Sequence, residues 1–142
     1  MQKKNYTLIF LLSLFLSSNL FASNQGFYNE AINEFKKENF TKSKFLFQRH
    51  LVIYPKDFSS YLYLAKIFEK EENPEELEKN LNTTLLLDPK NEEALYNLAK
   101  LKLNNSDYKK SKELNDRLAN LCNKFCDQSL KLKTEIENLS KK

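Results

Sequence analysis

Residues 58–91 read FSSYLYLAKIFEKEENPEELEKNLNTTLLLDPKN. Within them Tyr61, Leu64, Ala65 and Phe68 fall at i, i+3, i+4 and i+7, which places them on one face of an amphipathic helix. Leu77, Leu81 and Leu85, with Thr84 beside them, do the same for a second helix. Between the two stands Asn73-Pro74-Glu75-Glu76, where Asn73 suits a helix cap, Pro74 the first helical position and Glu76 the far end of a capping box. The stretch predicts a helical hairpin with a tight connection. Pro89, which cannot continue a helix, closes it.

The same pattern stands on both sides at a step of 34 residues. Phe27, Tyr61 and Leu95 share one position; Ala31, Ala65 and Ala99 another; Phe40, Pro74 and Tyr108 a third; Leu51, Leu85 and Ala119 a fourth; Pro55 and Pro89 a fifth. A fixed period of this size in a helix-patterned chain predicts a solenoid, because one hairpin cannot bury its apolar stripe without a neighbour. The third unit carries Leu95, Leu98, Ala99 and Leu103, then Tyr108, Leu114, Leu118 and Leu121, with Asn91 and Asp107 near the helix starts. The first is looser, with Phe27, Ala31 and Phe35 followed by Phe40, Phe47 and Leu51. Alanine midway along each leading helix lets the second helix approach closely, so a larger side chain there overpacks the hairpin. Beyond the third unit, Phe125, Leu132, Ile136 and Leu139 predict one more helix that covers the end of the array.

These residues resemble the tetratricopeptide repeat (TPR) family. Its pattern of a large residue, Leu-(Gly/Ala), a large or aromatic residue, a turn residue and a terminal proline is matched by Tyr61, Leu64-Ala65, Phe68, Pro74 and Pro89. The third unit matches through Leu95, Leu98-Ala99 and Tyr108, the first through Phe27, Ala31, Phe40 and Pro55. Where the family prefers small residues on the second helix the chain has Ser43, Leu77 and Ser111, and nearer its end His50, Thr84 and Leu118. The resemblance implies an all-α, right-handed α-solenoid of three helical hairpins, over 24–57, 58–91 and 92–125, with a capping helix and tail over 126–142.

Ahead of the repeats, the basic start Met1-Gln2-Lys3-Lys4 leads into an uncharged stretch whose apolar run, Leu8 to Leu16, is too short for a bilayer span of about 20 residues. With Ala22 and Ser23 following, residues 1–22 read as a secretory signal peptide cut after Ala22, or after Ser23, or retained as an anchor; export to the periplasm is expected in each case. The chain has 142 residues, and loss of Lys3 and Lys4 lowers its formal net charge from +4 to +2. Acids and bases interleave along the helices, which leaves no polyanion-binding footprint and argues against nucleic acid.

Cys122 and Cys126 are the only cysteines. In an oxidising compartment an even count favours a disulfide, provided the helix breaks between them; two reduced core thiols or a redox function are the alternatives. Similar short cysteine pairs beside the cap occur in exported proteins that this chain resembles. Haem attachment needs Cys-x-x-Cys-His, which is absent. His50 is the lone histidine and has no second metal ligand at a useful spacing, and Gly26 the lone glycine, so no phosphate-binding loop is written. Neither a catalytic constellation, a metal site, a cofactor nor a small-molecule substrate is expected.

The resemblance implies a concave groove lined by the leading helices. Those positions are Tyr28, Ile32, Phe35 and Lys36, then Leu62, Lys66, Glu69 and Lys70, then Tyr96, Lys100 and Leu103. Tyrosines beside lysines suit an extended peptide with an acidic side chain or a free carboxyl end; a plain solvated helix face is the other reading. The family's carboxylate-clamp pattern is not present, since Tyr28, Ile32, Glu93 and Asn97 occupy its positions. The expected function is a non-catalytic scaffold or adaptor of the bacterial cell envelope that holds a peptide segment of another envelope protein. A thiol/disulfide helper in envelope or cytochrome assembly, using Cys122 and Cys126, and a self-associating structural subunit are the alternatives.

Overall fold

A computed structural model describes residues 26–140. The segment read as a signal peptide, 1–22, lies outside them. The described residues divide into two compact units, one ending at Pro55 and the other beginning at Lys56. In the first unit α1 runs over 26–36 and α2 over Phe40–Ile53. The second holds α3 (Phe58–Lys70), α4 (Pro74–Leu87), α5 (Glu92–Asn104), α6 (Tyr108–Leu121) and α7 (Cys126–Leu139). Every element among the described residues is a helix, and none is long and apolar enough to cross a membrane.

The starts of α3, α5 and α7 are 34 residues apart, as are those of α2, α4 and α6. Local chemistry explains the regularity. Asp57, Asn73, Asn91 and Asp107 each accept a backbone N–H from three residues on, at 3.0–3.1 Å, and so satisfy one of the donors that a helix start leaves open. At the other end of each leading helix the chain turns through a left-handed residue: Glu38 (φ 60°), Glu72 (φ 54°) and Ser106 (φ 61°). The next residue then sends its N–H five residues back, Asn39 to Glu34, Asn73 to Phe68 and Asp107 to Lys102, each at 2.9 Å. That is the Schellman closure, built three times without the glycine that most often occupies its left-handed position.

This closure alters one expectation. Asn73 does cap Glu76 N–H, but the return half of the capping box is not made. The Asn73 N–H is already spent on Phe68, and the Glu76 carboxylate turns to Lys79 and Asn80 instead.

Within the first unit Ala31 is fully buried, and the Ser43 hydroxyl on α2 donates to its carbonyl at 2.9 Å. Ser111 on α6 donates to Ala99 on α5 in the same way, at 2.8 Å. The position between them in the repeat order is Leu77, half-buried, so the α3–α4 hairpin packs a side chain where the other two place a hydrogen bond. His50 is buried between Tyr28 and Tyr54, with ring centroids 5.3 and 4.7 Å away.

The core of the second unit runs from Leu62 and Ala65 through Leu81, Leu95, Leu98 and Ala99 to Leu114, Leu118, Leu132 and Ile136. Helix α7 occupies the place of a fourth leading helix and docks on α6 through a polar key. Asn115 Nδ2 donates to the Ser129 carbonyl (3.1 Å), and the Ser129 hydroxyl donates to Asn115 Oδ1 (3.0 Å), both residues buried. Because each buried polar atom of the pair has its partner, the docking is specific at no desolvation penalty. The repeat position of Ala65 and Ala99 is Lys133 on α7. A further helix packed there would have to bury an ammonium group.

Candidate functional site

Of the eleven positions expected to line a groove, Leu103 is buried in the core, and the eight with the most to offer a partner divide by unit. In the first, Tyr28 sets its ring edge-on to Phe47, 5.8 Å between centroids, and Phe35 does the same to Phe40 at 5.6 Å. Both rings are thus turned toward α2, whereas the sequence reading placed them on the face away from it. The reason is steric: α2 offers Phe47 and His50 as partners, and a ring buried between them removes more apolar surface from water than one left outside. Lys36, the last residue of α1, is exposed.

In the second unit Leu62 on α3 is 9% exposed and belongs mostly to the core. Lys66, one turn on, reaches across to α5 and pairs with Glu93, Nζ to Oε1 at 2.6 Å, while its ammonium lies 5.0 Å from the Tyr63 ring. Lys70 is exposed at the end of α3. On α5, Tyr96 is half-buried against Phe125, with centroids 5.6 Å apart, and the exposed Lys100 holds its ammonium 5.6 Å from the Tyr96 ring. Lys66 and Lys100, equivalent in sequence, are therefore unequal in structure. The first is neutralised within the unit, and the second has no carboxylate in salt-bridge range among the described residues. Asp127, one repeat on from Glu93, does not pair with it.

Beside these residues lies a hollow of about 450 Å³, lined by Leu62, Asp88, Lys90, Asn91, Glu92, Glu93, Asn123, Lys124 and Phe125. Its far rim is the turn between α6 and α7. Helix α6 ends in a left-handed Cys122 (φ 30°), α7 begins at Cys126, and the two sulfurs are placed 2.03 Å apart with the Cα atoms at 5.0 Å. The helix does break between the cysteines, the condition on which the pairing depended.

One carboxylate organises that turn. Glu92, in the first turn of α5, accepts the backbone N–H groups of Lys124 (2.8 Å), Phe125 (3.0 Å) and Asn123 (3.1 Å), and the Asn123 side-chain amide as well (2.8 Å). These donors, the Lys124 N–H foremost, hold the Glu92 carboxyl down at about 2, against a partial burial that pushes it the other way. A group whose pKa is depressed on folding contributes stability above its unfolded value, near 4.3, and loses that contribution as the pH falls toward 2. The turn is thus expected to loosen on acidification over that window. The protection of the Lys124 and Phe125 amides, taken by NMR relative to the intrinsic exchange rate at each pH, should fall across it in the native chain. In Glu92→Gln exchange should already be faster by about an order of magnitude at neutral pH and show little of the acid dependence.

Glu92 and Phe125 line this hollow, and neither was among the groove positions expected from the sequence. Glu92 leaves no local trace, because its partners lie 31 to 33 residues away.

No family model and no curated protein matches the sequence. Solved structures do match in fold. One is the first TPR of Spaghetti (RPAP3) bound to an HSP90 peptide, with TM-score 0.72 and 11% identity, over 82% of this chain and 93% of that one. Another is the TPR2B domain of yeast Sti1 in its pHsp70 complex, with TM-score 0.74 and 15% identity, over 82% and 97%. A third is the type III secretion chaperone SycD of Yersinia enterocolitica with a peptide of the translocator YopD, with TM-score 0.72 and 17% identity, over 83% and 94%.

Proposed function

We propose that this chain, an all-α solenoid of tetratricopeptide-repeat fold, is a non-catalytic scaffold that holds an extended segment of a partner protein against the α3–α5 face of its second unit. The observation that carries the reading is the asymmetry of the two lysines. Lys66 is closed off by Glu93, whereas its repeat equivalent Lys100 keeps its charge beside the half-buried ring of Tyr96. A cation next to an aromatic plane is a recognition element for a chain that offers an acid together with an apolar group. Two fold neighbours carry bound peptides in their own structures and a third is a complex with pHsp70, which supports peptide capture as the mode of action.

We place the partner in the bacterial cell envelope. The support is the sequence of residues 1–22, read as a signal peptide, and the cysteine pair at 122 and 126, which we take as a structural staple kept oxidised there. The family's carboxylate clamp is absent from the corresponding positions, so the partner is not expected to be a chaperone tail of the kind that clamp recognises.

Retention of partners from an envelope extract tests the reading. The double variant Tyr96→Ala, Lys100→Glu is expected to lose at least tenfold of what the native protein retains, since truncating an aromatic anchor and reversing its neighbouring charge each cost a tenfold or more at an interface. Equal retention by the native protein and the double variant would remove the α3–α5 face as the site.

A further inference from the structure

We infer that α7 and the turn before it form a wall of the peptide site, not only a cover for the core, and that the guest carries a large apolar side chain within a few residues of an acidic one. This rests on the peptide-capture reading above and extends it to residues beyond α3 and α5.

Helix α7 buries Ser129, Leu132 and Ile136, which suffices to dock it. Leu130 is not needed for that purpose: it is 66% exposed. A single exposed leucine means nothing by itself. This one stands at the repeat position of Leu62 and Tyr96, so α7, in the place of a fourth leading helix, presents an apolar group at the same register as α3 and α5. The gap between α5 and α7 is bridged by Phe125, whose ring meets Tyr96 at 5.6 Å and also lines the 450 Å³ hollow shared with Leu62 and Glu93. Leu62, Tyr96, Phe125 and Leu130 thus form an apolar series across three helices.

The chemistry of the guest follows from what flanks the series. At Lys66 on α3 the charge is already balanced by Glu93. On the α5 side Lys100 holds a cation over the Tyr96 ring with no carboxylate partner among the described residues. Charge complementarity therefore asks for an acid at Lys100, and the exposed Leu130 with the half-buried Phe125 asks for an apolar side chain next to it. Rigidity comes from the Glu92 carboxylate, which fixes the Phe125 backbone with three N–H bonds to the turn, so the wall stands in place before a guest arrives.

The test uses the full chain and short synthetic peptides in a glycine–serine background. Each peptide carries one leucine or phenylalanine and one aspartate at varied spacing, with asparagine in place of aspartate as control, and binding is followed by fluorescence polarisation. Native protein is expected to bind a subset of spacings and to bind the asparagine controls several-fold more weakly. Leu130→Ala should weaken that binding about tenfold. Leu130→Glu should weaken it further by repelling the acid, and both variants should keep native circular dichroism because the side chain is exposed. If both Leu130 variants bind as the native chain does while Tyr96→Ala binds more weakly, peptide capture stands and the α7 wall is overturned. If no peptide binds the native chain above the plain background, peptide capture by this face falls, and the wall falls with it.

Discussion

Leu98→Ala is expected to destabilise the protein by about 2–5 kcal/mol, the cost of losing a buried leucine side chain and leaving a cavity behind. Leu98 is 2% exposed and sits in a core to which α3, α4, α5, α6 and α7 all contribute, so no single helix can shift to fill the void. Urea unfolding should show a lower midpoint with an unchanged slope, because the variant alters stability and not the surface exposed. For a chain of this size the thermal midpoint should fall by about 10 °C or more. A loss under about 1 kcal/mol would mean that the site collapses around the alanine, contrary to a core shared by five helices.

Ala99→Leu acts in the opposite sense, by adding volume where none is free. Ala99 is fully buried, and its carbonyl accepts the Ser111 hydroxyl from α6 at 2.8 Å. A leucine there forces α5 and α6 apart and breaks that bond, for a combined cost of about 2–4 kcal/mol from overpacking and the lost hydrogen bond. Ala65→Leu meets a different wall. Its hairpin carries Leu77 in place of the serine, so no such bond is broken, and the overpacking cost alone remains, about 1–3 kcal/mol. Parallel denaturation of the two variants should rank Ala99→Leu as the more damaging. Equal losses would show that the buried hydroxyl contributes nothing.

The parts of the molecule that a reader of the sequence could see are those written locally. Ala65 and Ala99 repeat with their leucines, and both prove to be buried at helix contacts. Asn73, Asn91 and Asp107 stand three residues before the N–H groups they cap. The left-handed corners were hidden because Glu38, Glu72 and Ser106 are not the residue type that advertises such a backbone. The direction of Tyr28 was hidden for another reason. Adjacent positions on a helix differ by about 100° in direction, and which border residue turns inward depends on what the opposing helix offers, here Phe47 and His50. The Glu92 clamp was hidden because nothing in the order of residues links position 92 to the turn at 123–125 until the chain has folded.

Three corners of one shape, at Glu38, Glu72 and Ser106, stand before helices that start at a constant interval. The step of the array is thereby set by backbone geometry that two glutamates and a serine all tolerate, and not by one privileged side chain. A joint so indifferent to its occupant lets surface residues around it drift freely while the hairpins keep their phase. Duplicating or deleting a whole hairpin brings together helix ends of kinds the molecule already uses, so the span of such a protein is open to change in whole-hairpin increments without any new connection having to be invented.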